Sequence, residues 1–208
     1  MCNNNNHGNY HRLDSSRDTE AEVETAIRFF PNVLTRYKEV AWVDEDYSYY
    51  FYPLQLLAFT RHEDDTWWCS LKVVSFIPLL ARLAIELGLF EEQERGGLLC
   101  QDIDSKNILE NLMGSDPTEI DNREHHEPVD DEYLNFLIDL RKLGLIKKED
   151  IQRYGLLHKL CHQNCYFSEK RFRFLVEWDP NALIHPQQKW ITATSSRCNQ
   201  HEIFNSRI

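Results

Sequence analysis

Four side chains able to bind a metal or react as thiols stand close together near residue 160. His158, Cys161, His162 and Cys165 occupy positions i, i+3, i+4 and i+7, which places them on one side of a single helix. Imidazole and thiolate groups are common zinc ligands, and a cysteine near a histidine is a candidate nucleophile. Residues seven apart on a helix are ~10 Å apart, whereas zinc ligands lie ~2.1–2.3 Å from the metal. One helix therefore supplies two or three ligands, and the others must come from elsewhere.

The rest of the sequence offers little to complete such a site. A His-His pair at 125–126 lies in an acidic stretch, and Cys198 and His201 lie in the polar tail. The sequence contains no Gly-x-Ser-x-Gly, no phosphate-binding glycine loop, no Gly-x-Gly-x-x-Gly and no His-Glu-x-x-His. We therefore expect structural roles for these residues, no bound metal, no cofactor and no enzymatic activity. A metal- or thiol-dependent enzyme or sensor centred on residues 158–165 remains the alternative.

Charge is concentrated in one part of the chain. The net charge is -11, and residues 115–132 hold eight carboxylates against one arginine. Nucleic-acid binding depends on clustered Lys and Arg, so we expect no nucleic-acid partner. We interpret residues 115–130 as an acidic linker, solvated or able to dock a basic protein.

The first residues of the chain and its most apolar window predict the cellular compartment. Residues 1–18 are polar, which predicts no secretory leader and favours a cytoplasmic protein, with the nucleus as the other possibility. The most apolar window, 71–90, has a longest uncharged run of nine residues, from Val73 to Ala81. A bilayer span needs ~20 mostly apolar residues, so we expect no membrane partner.

Helical patterns cover most of the remaining chain. We predict helices over 19–30, ended by Pro31, and over 53–62, begun by Pro53. An apolar helical stretch should follow residues 64–68, break at Pro78 and stop at Gly88. A short helix is expected over 105–113 and a longer one over 129–144. The last should begin at Asp130 or Asp131 and present the apolar stripe Tyr133, Phe136, Leu137, Leu140 and Leu143 or Leu145.

An aromatic segment at 36–52 is typical of a β-hairpin finger with a turn at 44–46. Alternate side chains on a strand face opposite sides, so one row can pack on the helices while the other is exposed. Tyrosine and tryptophan are favoured in binding surfaces because they combine a large area with a polar tip. The alternative is that both rows pack locally. Our candidate protein-binding residues are Trp42, Tyr47, Tyr49 and Tyr50.

Two short patterns recur in the chain. Phe-Phe-Pro-Asn-Val-Leu at 29–34 resembles Trp-Asp-Pro-Asn-Ala-Leu at 178–183, and each follows a helical run. Glu-Leu-Gly-Leu-Phe at 86–90 resembles Lys-Leu-Gly-Leu-Ile at 142–146, and both are followed by a Gly-Leu-Leu that should open a new helix. Recurring helical segments are typical of a stacked array in which no unit buries its apolar face alone.

Residues 154–183 resemble one divergent ankyrin-type repeat. Leu157 and His158 match the end of the family's Thr-Pro-Leu-His tetrad, Gly155-Leu156 replaces Thr-Pro, and Cys161 stands where a small residue is expected. Pro53-Leu54 is a second partial match. The overall sequence pattern is similar to that of the divergent ankyrin-like proteins that are numerous in some algae. The resemblance implies that His158 makes hydrogen bonds to backbone. The implied structural repeat positions are Pro31, Pro53, Gly155, Leu157, His158 and Pro180.

The expected fold is mostly α, an irregular stacked helix-turn-helix array with one β-hairpin finger. We expect a disordered tail at 1–20, helical repeats at 21–114 and 131–184 flanking the linker, and a polar tail at 185–208. The resemblance implies a non-catalytic protein-protein interaction module with an unidentified protein partner. A decayed fragment of a longer repeat protein is a further alternative.

Overall fold

The computed structural model describes residues 13–41, 48–58, 60–61, 67–68, 71–102, 105–114, 123–161 and 166–184. This part of the chain is mostly helical, with two small antiparallel sheets of two strands each. The helices are α1 (Glu20–Phe29), α2 (Pro53–Ala58), α3 (Leu71–Val74), α4 (Phe76–Glu86), α5 (Ile108–Met113), α6 (Arg123–Lys142), α7 (Lys148–Arg153), α8 (Leu156–Leu160) and α9 (Glu169–Trp178). The strands are β1 (Lys38–Ala41), β2 (Ser48–Phe51), β3 (Thr60–Arg61) and β4 (Trp67–Trp68). None of these helices is both long and apolar enough to cross a membrane.

Helix α1 is defined at both ends by its sequence. The Thr19 hydroxyl accepts a hydrogen bond from the Glu22 amide at 3.3 Å, and the Glu22 carboxylate accepts one from the Thr19 amide at 3.0 Å. This reciprocal capping box satisfies two amides that a helix start leaves free. Pro31 ends the helix and begins a 3-10 turn, Pro31–Leu34. The predicted helix at 19–30 is confirmed.

Residues 13–19, part of the tail that we predicted to be disordered at 1–20, pack against the helical part of the chain. The Ser15 amide donates to the carbonyl of Lys72 at 3.0 Å. The Lys72 ammonium in turn lies 2.9 Å from the Asp14 carboxylate, and Leu13 packs against the core. Residues 1–12 lie outside the described residues.

The predicted hairpin at 36–52 forms in its expected place. β1 pairs with β2 in antiparallel register, with Glu39 opposite Tyr50 and Lys38 opposite Phe51. The turn expected at 44–46 lies outside the described residues. The helix predicted over 53–62 ends at Ala58. β3 pairs with β4 in a second antiparallel sheet, where we expected the end of that helix and the start of the next one. Bulky tryptophans at 67–68 suit a strand better than a helix cap.

The apolar stretch breaks at Ser75, between α3 and α4, and not at Pro78. Pro78 lies in the first turn of α4, where its missing N–H costs no intrahelical bond. The predicted stop is confirmed: Gly88 has φ +64 and the Leu89 amide donates to the Ala84 carbonyl at 2.9 Å. These features form a Schellman C-cap.

Helix α6 corrects the predicted acidic linker at 115–130. The helix begins at Arg123 and continues through Pro128, so residues 123–130 are helical, while 115–122 lie outside the described residues. Asp130 and Asp131 are therefore inside the helix, and their prediction as N-caps is wrong. The predicted apolar stripe is confirmed, with Leu145 as its last member because Leu143 is 44% exposed. The buried stripe consists of Tyr133, Phe136, Leu137, Leu140 and Leu145.

Seven of the described helices form two contact series, and the short helices α3 and α7 lie outside both. In the long-helix row, α1 packs on α4, α4 on α6 and α6 on α9. In the short-helix row, α2 packs on α5 and α5 on α8. Contacts between the rows join α2 to α4 and α8 to α9. The buried apolar side chains of both rows make one continuous core.

The two recurring patterns have matching local structures. Both Pro-Asn-x-Leu segments form 3-10 turns, Pro31–Leu34 and Pro180–Leu183. Gly144 repeats the C-cap of Gly88, with φ +69 and a Leu145 amide donating to Leu140 at 2.8 Å. A helix opens after Gly155 as predicted, whereas the described residues after Gly97 form turns. The copies touch: Arg95 of the first forms an ion pair with buried Asp150 of the second.

Candidate protein-binding groove

A groove of about 970 Å³ opens between α1 and α2. Its floor is apolar and comes from Leu13, from α1 and the Pro31–Leu34 turn that follows it, from α2 and from α4. The strand β1 and the residues just before it form one side, and α1 with residues 13–18 forms the other. The apolar lining comprises Leu13, Val23, Ala26, Ile27, Val33, Leu34, Pro53, Leu56, Leu57 and Leu80.

The α1 wall is fixed to α4 by a network of four charges. Arg28 on α1 bonds Glu86 on α4 at 2.8 Å, and Arg82 on α4 bonds Glu24 on α1 at 3.2 Å. Each arginine also pairs with the acid on its own helix. The Arg28 guanidinium lowers the pKa of Glu24 and of Glu86 below the ordinary value for glutamate. This network holds α1 on α4 while its groove-facing side remains open.

Residues 13–18 close one end of the groove. The Asp14 carboxylate accepts hydrogen bonds from the Ser16 hydroxyl at 2.6 Å and from Lys72 at 2.9 Å. These bonds, the one from Ser16 first, hold the pKa of Asp14 well below its usual range. Arg17 and Asp18 at the rim are bonded to each other at 2.9 Å. Most of the charge at this end is thus neutralised within the chain.

The opposite wall is braced by a tyrosine pair. The Tyr37 and Tyr52 rings have centroids 4.2 Å apart, and the Tyr37 hydroxyl donates to that of Tyr52. Phe90 meets Tyr52 edge-on at 5.2 Å. Burial, followed by the bond from Tyr37, raises the pKa of Tyr52. Buried Gln55 bonds the Tyr52 amide at 2.8 Å and so ties this wall to the start of α2.

Arg36 provides an unused positive charge at the groove. It lines the groove, its side chain is exposed, and the described residues give it no ion pair or hydrogen bond. Glu39, three residues further along the same wall, is in the same situation. A planar guanidinium on an apolar rim is suited to bind a carboxylate with two parallel hydrogen bonds.

The predicted finger residues are only partly visible. Trp42 and Tyr47 lie outside the described residues, and of Tyr49 only the backbone, paired with Val40 across the sheet, is described. Tyr50 is 56% exposed, whereas its neighbour Phe51 is 5% exposed. At these two positions one face of the finger packs and the other is exposed, as predicted. Residues 36–39, at the base of the predicted finger, line the groove.

The structure describes all six of the implied repeat positions. Pro31 and Pro180 begin 3-10 turns, Pro53 begins α2, and Gly155 precedes α8 with φ +59. Leu157 is buried. The His158 side chain is exposed and has no hydrogen-bond partner among the described residues. The backbone hydrogen bonds implied for it are therefore not seen.

The structure describes only two of the four residues of the His/Cys motif. His158 lies in α8 and Cys161 at its C-cap, while His162 and Cys165 lie outside the described residues. Within the described ranges no group of three His, Cys, Asp or Glu is placed to hold a metal ion. Burial raises the pKa of the Cys161 thiol, which reduces its thiolate fraction at neutral pH.

The sequence interpretation missed the groove itself. The residues that make it, such as Ala26, Leu56 and Leu80, appear in the sequence as ordinary members of helical stripes. A groove is space left between elements, so no motif marks it. The available signal was Arg36 followed by Tyr37, a charge and an aromatic residue at the start of the predicted finger.

Comparison of the chain with protein-family models, curated proteins and solved structures returned no match.

Proposed function

We propose that this chain is a non-catalytic protein-protein interaction module, built as an irregular ankyrin-like array, that binds its partner at the groove. The observation that carries the proposal is the groove's apolar floor, open between α1 and α2 and bordered by the base of the finger. Apolar depressions with polar rims are typical of protein contact sites.

The contact pattern of the helices supports the array. Stacked repeats put equivalent helices side by side, so each unit contacts its neighbours in the chain. The long-helix row α1, α4, α6 and α9 and the short-helix row α2, α5 and α8 follow this order. The paired Pro-Asn-x-Leu turns then mark corresponding ends of the first and last long helices.

The two rows end differently at α1 and α2. Apart from Phe29, the exposed residues of α1 are mostly polar, Glu20 and Thr25 among them, as in a capping repeat. The short-helix row ends at α2, whose Leu56 and Leu57 line the groove. The polar exposed face of α1 and the groove beside α2 together support a binding site at this end of the array.

Exposed aromatic side chains extend the surface. Tyr37 lines the groove and is 55% exposed, and Tyr50 on the adjoining hairpin is similarly exposed. Tyrosine often anchors protein interfaces because its ring buries a large area at low entropic cost. We infer that these two rings flank a partner seated in the groove.

The test uses two arginine substitutions on one helix. Ala26 lines the groove and is exposed, so Ala26→Arg fills the groove without entering the core. Ala21→Arg, also exposed on α1 but not lining the groove, is the matched control. The wild-type chain and Ala21→Arg should capture the same stoichiometric partner from native lysate, and Ala26→Arg should lose it.

Equal capture by all three baits would place the site elsewhere. Absence of any partner, with the chain cooperatively folded, would favour the fragment alternative. Stoichiometric zinc in the native chain, lost in a Cys161→Ser, Cys165→Ser variant, would favour the metal alternative.

A further inference from the structure

The two Pro-Asn-x-Leu turns end in leucines that differ sharply in exposure. Leu34, at the end of the first turn, is 1% exposed, whereas Leu183, at the end of the second, is 58% exposed. Ile184, the next residue, is 72% exposed. Each turn follows a helix of ten residues and begins at a proline, so the local structure is the same in both places. The difference therefore comes from what packs on each turn.

The first turn is covered by chain that comes after it. Pro31–Leu34 contacts α2 and α4 as well as α1. Leu54 of α2, 20 residues after Leu34, is fully buried in the same core. The second turn packs on α9, and residues 185–208, which follow it, lie outside the described residues. The chain that corresponds to α2 at this end therefore belongs to residues 185–208.

The outer side of α9 is also incompletely covered. Phe174 and Trp178 contact Arg141 of α6. At 3.6 residues per turn, Phe172 and Val176 lie on the opposite side of the helix, and both are only partly buried. The last unit of a repeat array normally presents a polar outer face. Apolar side chains at this end of the array thus favour a further layer of protein.

The sequence of residues 185–208 suits this role. Two apolar pairs stand in an otherwise mostly polar segment, Trp190-Ile191 and Ile203-Phe204. Ile203 comes 20 residues after Leu183, which is the separation between the leucine of the first turn and its buried partner in α2. The segment carries three Lys or Arg against one Glu in a chain of net charge -11, so the rest of the chain attracts it.

We propose that residues 185–208 fold back on α9 and the Pro180–Leu183 turn, and that Ile203 and Phe204 cover Leu183 and Ile184 as α2 covers the first turn. Because the segment is joined to Ile184, its effective concentration at this surface is far higher than that of a separate molecule. A second copy of the chain would also bring a second net charge of -11. The inference goes beyond the proposed function, because it concerns the opposite end of the array and does not depend on partner capture at the groove.

The test is amide hydrogen exchange of the full chain, followed by mass spectrometry. Amides of residues 200–207 should exchange at least about tenfold more slowly than in an isolated peptide of the same sequence. Leu183→Asp should return them to the peptide rate, because a carboxylate on the turn would have to lose its water under the cover. Phe29→Asp, which alters a residue 76% exposed at the other end of the array, is the matched control and should leave the slow exchange unchanged.

A reciprocal variant examines the same contact from the other side. In an Ile203→Asp, Phe204→Asp chain, the amides of residues 181–184 should exchange faster than in the wild type. Those of residues 171–178 should not change, because α9 remains packed on α6. Since Leu183 is intact in this variant, the result does not depend on any damage to the turn.

Exchange of residues 200–207 at the peptide rate in the wild-type chain would overturn the proposal, and so would slow exchange that survives Leu183→Asp. Protection that grows with protein concentration, together with a dimer in sedimentation velocity, would assign the surface to a second copy and also overturn it. If Ala26→Arg abolishes partner capture while residues 200–207 exchange freely, the proposed function stands and this inference fails. The opposite pair of results would retain the inference and reject the groove.

Discussion

The guanidinium of Arg171 lies 2.8 Å from the carboxylate of Asp130, and both side chains are buried between α9 and α6. Arg171 also donates to the Leu112 carbonyl at 3.0 Å and to the Ser168 hydroxyl, and its guanidinium carbon lies 4.8 Å from the centre of the Tyr133 ring. One arginine thus joins two long helices to the end of a short one. Its three guanidinium nitrogens all have partners, so the pair ties α9 to α6.

Removing this arginine should be among the most damaging substitutions in the chain. Arg171→Ala leaves Asp130 buried without its partner, which costs about 3–5 kcal/mol of the free energy of unfolding. Arg173→Ala, two residues along the same helix, removes only an exposed pair with Glu169 and should change it by less than about 0.5 kcal/mol. Urea unfolding of the full chain measures both. Equal effects would contradict the structural role of the buried pair.

Alanine at Gly88 or Gly144, the glycines of the recurring pattern, should destabilise the chain less than alanine at Gly96. Gly88 and Gly144 have φ near +65 and no atom within 4 Å of an added Cβ, so alanine there costs only about 1–2 kcal/mol of backbone strain. Gly96 has a similar φ of +67, but its Cβ would lie 2.1 Å from the Ala81 carbonyl oxygen. Gly96→Ala should therefore lower the thermal midpoint clearly more than Gly88→Ala or Gly144→Ala. Three similar shifts would contradict the packing at Gly96.

The Arg28 network should contribute stability that depends on pH. The folded pKa values of Glu24 and Glu86 are lower than the ordinary 4.5, so their contribution is present above pH 4.5 and is lost as pH falls through the folded values. The difference in unfolding free energy between wild type and Arg28→Met should therefore be larger at pH 7 than at pH 3. It should also shrink in molar salt, because these side chains are partly exposed. A difference that is constant with pH would show that the network adds nothing beyond packing.

Cys100 should be unreactive in the folded chain. Burial raises the pKa of its thiol to about 12, so almost none is thiolate at neutral pH. In iodoacetamide labelling at pH 7.5 followed by mass spectrometry, the peptide containing Cys100 should be modified only after urea is added. Cys161 is exposed as a residue, but partial burial raises the pKa of its thiol. It should therefore react no faster than a free thiol. Rapid labelling of either residue in the folded chain would favour the thiol-dependent alternative.

Local signals predicted local structure well. The stop at Pro31, the glycine at Gly88 and the stripe of α6 each depend on residues within one or two turns, and each was confirmed. The start of α6 was misplaced because Asp130 appeared to be a solvated cap. What buries it is Arg171, 41 residues further along the chain, and a pattern in one sequence does not reveal that pairing.

The groove was beyond sequence reasoning for a related reason. Ala26 and Leu56 follow the same helical periodicity as residues in the core, and they line a groove because the described chain leaves space between α1 and α2 beside the Pro31–Leu34 turn. Periodicity indicates which face of a helix is apolar, but not whether a neighbour covers it.

Amide hydrogen exchange of the full chain, alone and with its captured partner, tests the central claim most directly. If the groove is the binding site, exchange should slow at residues 23–27, 36–39 and 53–57, with α9 unchanged because it lies at the other end of the long-helix row. Protection of α9 with no change around α1 and α2 would contradict the account.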